Sequence, residues 1–430
     1  MWGTAAFCLV VCATASAQSL LPGADGAEFF GRKDLAVLKC EVEPLRPVLD
    51  FSFRFHAGYT AWVPLSQFRG AGHKWTVVVR IEPGLGGQPV YFEDTLNLPD
   101  VPDTKLEGQA GGGYLLGEGF YRASLLLVDD QNRGCRSEWN IEAALGGEDR
   151  HVKMAIEPGT VQEVSWRGAR SVSARGDAPL GRLTVLLHAA PVSPHLSQMD
   201  ASDAVTLLGA LSSLMDLAPA ESVRLVVFNL DQQKEIYRHE HFTLDQLEAV
   251  RQAIFDLQLA VVDYKTLQNP NGHLDLLNSL VSRELRAESR SDAVVFLGPH
   301  ARSEDKPAAP PETRDGRGPK FFYVDYQVAT MALPPFGGGR GRGGRGRNAS
   351  GMPDASQPMS TRGGIVPNLS GGGGNGAAGV DPLAQAGSVP MLEPRDTIDF
   401  LVATLKGKTL VVRTPGDFAK AMRLIAAQKK

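Results

Sequence analysis

Apolar and polar residues alternate along the first third of the chain, a pattern typical of β-strands with one buried face. The alternation is clearest at residues 49–56 and returns at 75–81 and 121–127, with a turn predicted at the glycines 111–113. Further strands are predicted at 36–42, 88–96 and 136–144. Residues 28–147 are therefore predicted to form an all-β domain, a small antiparallel sandwich of the immunoglobulin-like type.

The pattern changes after a polar connecting segment, residues 148–180, which holds an expected strand pair at 152–156 and 161–166. From position 181, short apolar runs alternate with helical periodicity, as in a parallel sheet covered by helices. The predicted strands are 183–187, 223–228, 234–238, 293–297, 321–326 and 409–412, and the predicted helices are 202–216, 243–257, 273–288, 394–405 and 415–427. This order predicts a three-layer, Rossmann-like α/β domain in two parts, 181–333 and 391–430.

The two parts are separated by residues 334–390, a stretch rich in Gly, Ser, Pro and Asn that we predict to be a disordered insertion. It carries four arginines among glycines, at Arg340, Arg342, Arg345 and Arg347. Such repeats bind RNA in some proteins. The net charge of -4 argues against a nucleic-acid partner for the chain as a whole, so we interpret the arginines as a flexible cationic loop or a contact for an acidic surface polymer.

The first 17 residues combine a short apolar stretch with Ala15-Ser16-Ala17, a small-x-small cleavage pattern, and predict a signal peptide. The apolar stretch is not preceded by the Lys or Arg that a signal peptide usually carries. The alternative to signal cleavage after Ala17 is lipidation at Cys12. No later apolar run is long enough to cross a membrane, so the mature chain is predicted to lack a membrane span. Because of the predicted signal peptide, we expect the mature chain to be extracellular or periplasmic.

After signal cleavage the chain keeps two cysteines, Cys40 and Cys135, both in the predicted all-β domain. An oxidising compartment would allow a disulfide between the first and last strands of that domain. Two separate buried thiols are the alternative that the sequence leaves open.

The closing stretch of the chain carries a family resemblance. Phe400-Leu401-Val402-Ala403 precede Gly407, a strand follows at 408–412, and then comes Asp417-Phe418-Ala419-Lys420-Ala421. An antiparallel strand is also predicted directly after the second strand. With these features, residues 181–428 resemble a von Willebrand factor type A domain. The resemblance implies an α/β fold that recognises other proteins.

The resemblance also implies a metal site that this chain lacks. Metal-binding members of the family carry Asp-x-Ser-x-Ser after the first strand, a Thr in a later loop and an Asp after the fourth strand, which are oxygen ligands suited to Mg²⁺. Here the corresponding segments are His188-Ala189-Ala190-Pro191-Val192, Asn271-Gly272-His273 and Gly298-Pro299-His300. We therefore expect no metal and no cofactor at that position.

Four histidines are expected near the carboxyl edge of the parallel sheet, the edge at which open α/β folds bind ligands. They are His188, His195, His273 and His300. A zinc or copper site is one interpretation, and surface or helix-capping histidines are the commoner one, as they are for His239 and His241.

No nucleophile elbow, zinc-protease motif or phosphate-binding loop occurs, and carboxylates such as Asp203, Asp263, Asp292 and Asp325 show no pairing pattern. The sequence favours an exported, non-enzymatic protein that binds an unidentified protein partner or takes part in envelope assembly. The alternatives are an enzyme or metal-binding protein that uses the histidine-bearing edge, and an RNA or polyanion binder that uses the arginine loop.

Overall fold

The chain was analysed as a computed structural model. The structure describes residues 18–84, 86–164, 180–192, 199, 201–257, 259, 264–286, 291–307, 318–327 and 395–428. These residues form three β-sheets and seven α-helices, a mixed α/β architecture built from several sheets. The predicted signal peptide and the predicted insertion at 334–390 lie outside them.

The N-terminal part contains ten strands and one helix. The strands are β1 (Ser19–Leu21), β2 (Ala36–Val37), β3 (Glu41–Leu49), β4 (Phe55–Pro64), β5 (Lys74–Pro83), β6 (Val90–Asn97), β7 (Glu107–Leu116), β8 (Gly119–Asp129), β9 (Arg133–Ala143) and β10 (Val161–Glu163), and the helix is α1 (Gly23–Gly31). One sheet has the order β1-β6-β5-β8-β9-β2 and the other the order β10-β7-β4-β3. All neighbours pair antiparallel except β2 and β9.

Alternate residues of strands in both sheets meet in one apolar core. From β4 they include Tyr59 and Val63, from β5 Trp75 and Val79, and from β8 Leu125, and all of these side chains are buried. The period-2 pattern of the sequence therefore identified this core correctly, because successive strand residues point to opposite faces. Strand β1 and helix α1 were not predicted, and α1 packs on the outer face of the six-stranded sheet, with the ring of Phe30 6.0 Å from that of Tyr91.

Residues 49–56 do not form the single strand that their alternation predicts. Strand β3 ends at Leu49, β4 begins at Phe55, and the residues between them form a tight hairpin tip in which Phe53 has a φ of 57°. The alternation arises because Phe51 and Phe53 enter one core while Asp50, Ser52 and Arg54 are buried in a polar network.

The glycines 111–113 lie inside β7 and not in the predicted turn. A Cβ atom on Gly112 would lie 2.8 Å from Cε1 of Tyr59 on the neighbouring strand, so the buried tyrosine requires a glycine at this position. The predicted strand at 36–42 is also wrong, since it is divided between β2 and β3, which belong to different sheets. Residues 152–156 form no strand, and the partner predicted for them survives only as the short β10.

The C-terminal part contains six strands and six helices. The strands are β11 (Leu180–His188), β12 (Ala220–Asn229), β13 (Lys234–His239), β14 (Ala293–Pro299), β15 (Lys320–Tyr326) and β16 (Lys408–Val412), and the helices are α2 (Ala201–Leu217), α3 (Leu247–Phe255), α4 (Tyr264–Gln268), α5 (Gly272–Arg286), α6 (Thr397–Thr404) and α7 (Pro415–Ala426). The sheet order is β13-β12-β11-β14-β15-β16, parallel except for β13. The strands and helices predicted from position 183 onward match these elements closely, apart from the added α4.

Separate apolar clusters cover the two faces of this sheet. One includes Leu207 and Leu211 of α2 with Phe418 of α7, and the other includes Leu277 of α5 with Leu401 of α6. The strands are apolar on both faces because helices bury both of them.

The hairpin tip between β3 and β4 joins the two parts. The Phe51 ring stacks on that of Phe418, with centroids 4.9 Å apart, and packs edge-on against Tyr326 at 5.7 Å. A second contact is the backbone N–H of Gly416, which donates to a carboxylate oxygen of Asp149 at 2.7 Å. Helix α7 therefore packs against Phe51 and Asp149, which lie far before it in the sequence.

Polar groups of the tip form a network beneath these rings. Asp50 accepts hydrogen bonds from the Ser52 hydroxyl and pairs with Nε2 of His56 at 2.8 Å, and the Arg54 Nε donates to the Ser52 hydroxyl at 2.7 Å. Burial acts to raise the pKa of the Asp50 carboxyl, but His56, Arg54 and Ser52 outweigh it and hold that pKa below its usual value. We interpret the network as a means of satisfying buried charge at the junction.

Candidate functional site

Polar side chains gather where strands β11, β14 and β15 end, at the carboxyl edge of the α/β sheet. Leu187 pairs with Leu297 and Gly298 pairs with Asp325, so His188, Gly298 and Asp325 lie in one row across the sheet. In-register parallel neighbours project to the same face. The middle residue has no side chain, and a Cβ on Gly298 would lie only 2.7 Å from Cβ of His188.

Asp325, at one end of this row, lies close to His300 and Asp396. We call these three residues the carboxyl-edge cluster. The Nδ1 atom of His300 lies 3.0 Å from Oδ2 of Asp325 and 3.5 Å from Oδ2 of Asp396. One ligand-type atom from each of the three residues falls within 4.8 Å of the others. The two carboxylate side chains are almost fully buried, whereas the His300 side chain is 26% exposed, so the cluster is reached from solvent through the imidazole.

Hydrogen bonds hold both carboxylates in place. Oδ2 of Asp396 accepts from the backbone N–H of Ala301 at 2.6 Å and from the Tyr323 hydroxyl at 2.7 Å. Its Oδ1 accepts from the backbone N–H of Asp399, which makes Asp396 the N-cap of α6. The side-chain amide of Gln327 donates to Asp325 at 2.8 Å. The cluster is therefore fixed by the strand, by the loop after β14 and by a helix start.

Burial shifts the acid–base properties of this region. It raises the pKa of the Asp396 carboxyl, although hydrogen bonds from Asp399, Ala301 and Tyr323 and the charge of His300 act in the opposite direction. Burial also raises the pKa of Tyr323 well above its usual value, and the adjacent Asp396 and Asp325 carboxylates add to that shift. Tyr323 is consequently a neutral hydrogen-bond donor at neutral pH.

His188 is enclosed on the same face, stacked on Phe228 with ring centroids 5.3 Å apart. Burial lowers the pKa of its imidazole to about 4, so the ring is neutral at neutral pH. Neither ring nitrogen makes a hydrogen bond of ordinary geometry within the described residues, although the Pro299 carbonyl lies close enough to favour the charged form.

The other histidines singled out from the sequence are distributed more widely. Nε2 of His273 lies 3.0 Å from Asp305 and 3.1 Å from the Ser303 hydroxyl, in the loop after β14, so His273 occupies the predicted edge but has its own partners. His195 lies outside the described residues. His239 ends the edge strand β13, and His241 is exposed and hydrogen-bonded to Ser222.

The loop that follows β11 begins with apolar residues. Ala189 and Ala190 follow β11 and are buried. The nearby Asp203 lies in the first turn of α2, and its carboxylate accepts from the backbone N–H of Val192 at 3.2 Å. This carboxylate therefore anchors the loop after β11.

Cys40 and Cys135 form a disulfide, with Cα atoms 6.1 Å apart. Cys135 lies in β9, whereas Cys40 lies where the chain crosses from β2 to β3 and hence from one sheet to the other. The predicted pairing of Cys40 with Cys135 is therefore confirmed, but the bond fastens a crossover segment to the sheet that contains β9 and does not join the first and last strands of the domain. Arg340, Arg342, Arg345 and Arg347 lie outside the described residues, and their contact with a polyanion stays a prediction.

Sequence reasoning placed His300 at this edge but missed the partnership with Asp325 and Asp396. Asp325 lies within an apolar strand with no motif around it, and Asp396 lies beyond residues 334–390 in the sequence. The one local signal was the spacing of Asp396 to Asp399 ahead of an apolar run, which is typical of a helix N-cap.

A second polar cluster lies at the opposite, amino edge of the sheet. The buried Glu284 of α5 pairs with Arg224 at 2.6 Å and accepts from the Thr184 hydroxyl at 2.8 Å. Arg224 also pairs with Glu240 at 2.6 Å. Each charged group has an opposite charge beside it, so we interpret this cluster as structural. The carboxyl-edge cluster differs, because it sets two buried carboxylates against one imidazole.

An imidazole and two oriented carboxylates can bind a cation, hold a hydrogen-bonding ligand or move a proton.

No helix within the described ranges combines the length and the apolar character needed to cross a membrane.

Comparisons with known proteins identify no family. No family model matches the chain, and no curated protein does. Among solved structures, a Bordetella pertussis protein provisionally named ApaA is 14% identical, covers 26% of this chain and 99% of its own, and has a TM-score of 0.17. A glycosyl hydrolase family 2 member from Bacteroides cellulosilyticus is 12% identical, covers 68% of this chain and 36% of its own, and has a TM-score of 0.18. A β-glucuronidase of Bacteroides uniformis is 10% identical, covers 67% of this chain and 36% of its own, and has a TM-score of 0.17. Such low TM-scores carry no argument about fold or activity.

Proposed function

We propose that this chain is an exported, non-enzymatic protein that recognises another protein, with an immunoglobulin-like β-sandwich joined to an α/β part of the von Willebrand type A kind that lacks the Mg²⁺ ligands of that family. The observation that carries the proposal is the end of β11. There His188, Ala189 and Ala190 are buried, and the type A resemblance matches their segment to the one in which metal-binding members carry oxygen ligands. Recognition would then depend on surface shape and charge.

The strand order supports the α/β half of this proposal. Strand β13 pairs antiparallel with β12 at one edge of an otherwise parallel sheet, directly after β12 in the chain, and helices cover both faces. Antiparallel pairing in two sheets packed face to face supports the sandwich half.

The junction between the halves supports a binding role. The Phe51 ring packed against Phe418 and Tyr326, and the hydrogen bond from Gly416 to Asp149, hold the C-terminal part against the N-terminal part. A surface that is fixed before binding loses less conformational entropy when a partner docks. The disulfide between Cys40 and Cys135 is compatible with export, since such bonds persist in oxidising compartments.

We expect partner contact at the carboxyl edge of the sheet, because open α/β folds bind ligands there. The loop after β14 is exposed at Glu304, Asp305 and Lys306 and lies beside the carboxyl-edge cluster. An equivalent exposed carboxylate, Glu221, lies near the start of β12 at the opposite edge and provides a matched control.

Site-specific crosslinking in the native host tests the proposal. A photo-reactive residue placed at Glu304 should yield one discrete protein conjugate, and the same residue at Glu221 should not. Equal conjugates at both positions, or none at either, would count against recognition at this edge. A hydrolytic or redox activity of the purified chain that a single substitution abolishes would contradict the non-enzymatic assignment.

A further inference from the structure

The carboxyl-edge cluster has the composition of a metal site. One ring nitrogen of His300 and one carboxylate oxygen each of Asp325 and Asp396 lie within 4.8 Å of one another. We propose that these three residues bind one divalent transition-metal ion of the zinc class, with solvent completing its coordination.

Two of the three separations between donor atoms fit this ion. Zinc in proteins is bound at roughly 2.0–2.2 Å by imidazole nitrogen and carboxylate oxygen, so adjacent ligands of a tetrahedral ion lie about 3.3 Å apart. The distances from Nδ1 of His300 are 3.0 Å to Asp325 and 3.5 Å to Asp396, on either side of that value. Little movement of His300 would be needed to bind the ion.

The charge of the cluster also favours a cation. The side chains of Asp325 and Asp396 are 4% and 0% exposed, and two neighbouring buried carboxylates repel each other unless a positive charge lies between them. Arg302, in the adjacent loop, lies 3.4 Å from a different carboxylate, Asp231. A divalent ion would balance both carboxylates at once.

The groups around the donors resemble the supporting shell of a metal site. Ala301 and Tyr323 donate to Asp396, and Gln327 donates to Asp325, so both carboxylates are oriented before an ion arrives. Such outer hydrogen bonds fix ligand geometry and tune affinity. The partial exposure of His300 provides an entry path and leaves an open coordination position for water.

This site shares the loop after the fourth strand with the one that the type A resemblance implies, but its other ligands and its chemistry differ. That site uses oxygen ligands after the first strand and suits Mg²⁺. The carboxyl-edge cluster instead lies between β14, β15 and the start of α6, and its imidazole favours a borderline ion such as Zn²⁺. The proposal does not depend on partner recognition, because it concerns the ion alone.

Zinc binding by the full mature chain, residues 18–430 without an affinity tag, tests the proposal. After removal of metal with chelator, competition with a chromophoric chelator should reveal one tightly bound Zn²⁺ per chain. His300→Gln and Asp325→Asn should each weaken that binding at least about tenfold. His273→Gln is the matched control, since His273 lies at the same edge with its own carboxylate partner, Asp305, and should leave binding unchanged.

A second readout separates loss of the ion from loss of the fold. Added Zn²⁺ should raise the unfolding midpoint of the wild type and of His273→Gln, because an ion bound only by the folded chain stabilises it. The midpoint of His300→Gln should not respond, and its midpoint without metal establishes that it folds. The proposal is overturned if the wild type binds no Zn²⁺, or if His300→Gln binds it as tightly as the wild type.

Discussion

The ring of Phe51, at the tip of a β-hairpin, stacks on the ring of Phe418 in the closing helix, with centroids 4.9 Å apart. The hairpin tip thereby completes the core on one face of the α/β sheet. The first prediction concerns this contact.

Replacing Phe51 by Ala should lower the free energy of unfolding by about 3 to 5 kcal/mol, because it removes a fully buried ring and leaves a cavity beside Phe418. Urea unfolding followed by far-UV circular dichroism measures the change. Phe120→Ala is the control, since Phe120 is 66% exposed on β8 and its loss should change stability by less than about 0.5 kcal/mol. Equal effects of the two substitutions would contradict the role of the hairpin tip.

His188 predicts a specific dependence of stability on pH. Its pKa is about 4 in the folded chain, against 6.5 for an unperturbed histidine, so the unfolded chain binds a proton first as pH falls. This residue alone should therefore cost about 3 kcal/mol of stability between neutral pH and pH 4. The loss should begin near pH 6.5 and be complete below the folded pKa.

The His188→Leu variant should lose less stability than the wild type over this pH interval. Urea unfolding at a series of pH values measures the difference, which cancels the contribution of other titrating groups. His241→Gln, which changes an exposed histidine, should follow the wild-type curve. Parallel curves for all three proteins would show that His188 is not a buried neutral imidazole.

Loss of the disulfide should destabilise the chain. Cys40 and Cys135 are 95 residues apart in sequence, and opening a loop of this size costs about 2 to 5 kcal/mol. The double substitution Cys40→Ser and Cys135→Ser should therefore lower the urea midpoint. Reductant should lower the wild-type midpoint by a similar amount and should leave the variant unchanged. A wild-type midpoint insensitive to reductant would contradict a stabilising disulfide.

The four arginines of the predicted insertion lead us to expect a salt-dependent interaction with polyanions. Changing Arg340, Arg342, Arg345 and Arg347 together to Ser should reduce retention on a sulfated-polysaccharide column, because each arginine neutralises charge on the polymer. Substituting four other arginines, Arg46, Arg69, Arg136 and Arg413, provides a control of equal net charge. If both variants elute at the same salt concentration, the loop has no special role.

The sequence predicted the α/β elements well because helices and strands there carry strong periods of 3.6 and 2 residues. It failed at residues 49–56, where alternation came from a hairpin tip with both faces buried. Periodicity reports which side chains are buried alternately but not whether the backbone between them is extended. The glycines 111–113 misled in a similar way, because Tyr59 on the neighbouring strand determines their role.

The candidate site was only partly predictable for a different reason. His300 could be placed at the carboxyl edge from strand order alone. Its partners Asp325 and Asp396 come from a strand and from a helix start beyond the insertion, and only the folded sheet brings them together. Single carboxylates without local spacing cannot be paired from a sequence.

The hairpin tip has a consequence for dissecting the molecule. An expression fragment that begins at β11 would contain Phe418, Tyr326 and the facing side of α2, but not the two phenylalanines that cover them. That fragment would expose to solvent the apolar surface that Phe51 and Phe53 cover in the full chain. It should therefore aggregate or bind another apolar molecule at this surface. A fragment that ends before β11 would instead carry Phe51 and Phe53 bare on a protruding loop. Separately purified halves that retain their folds should therefore reassociate when mixed, which would make the junction itself a tool for split-protein complementation.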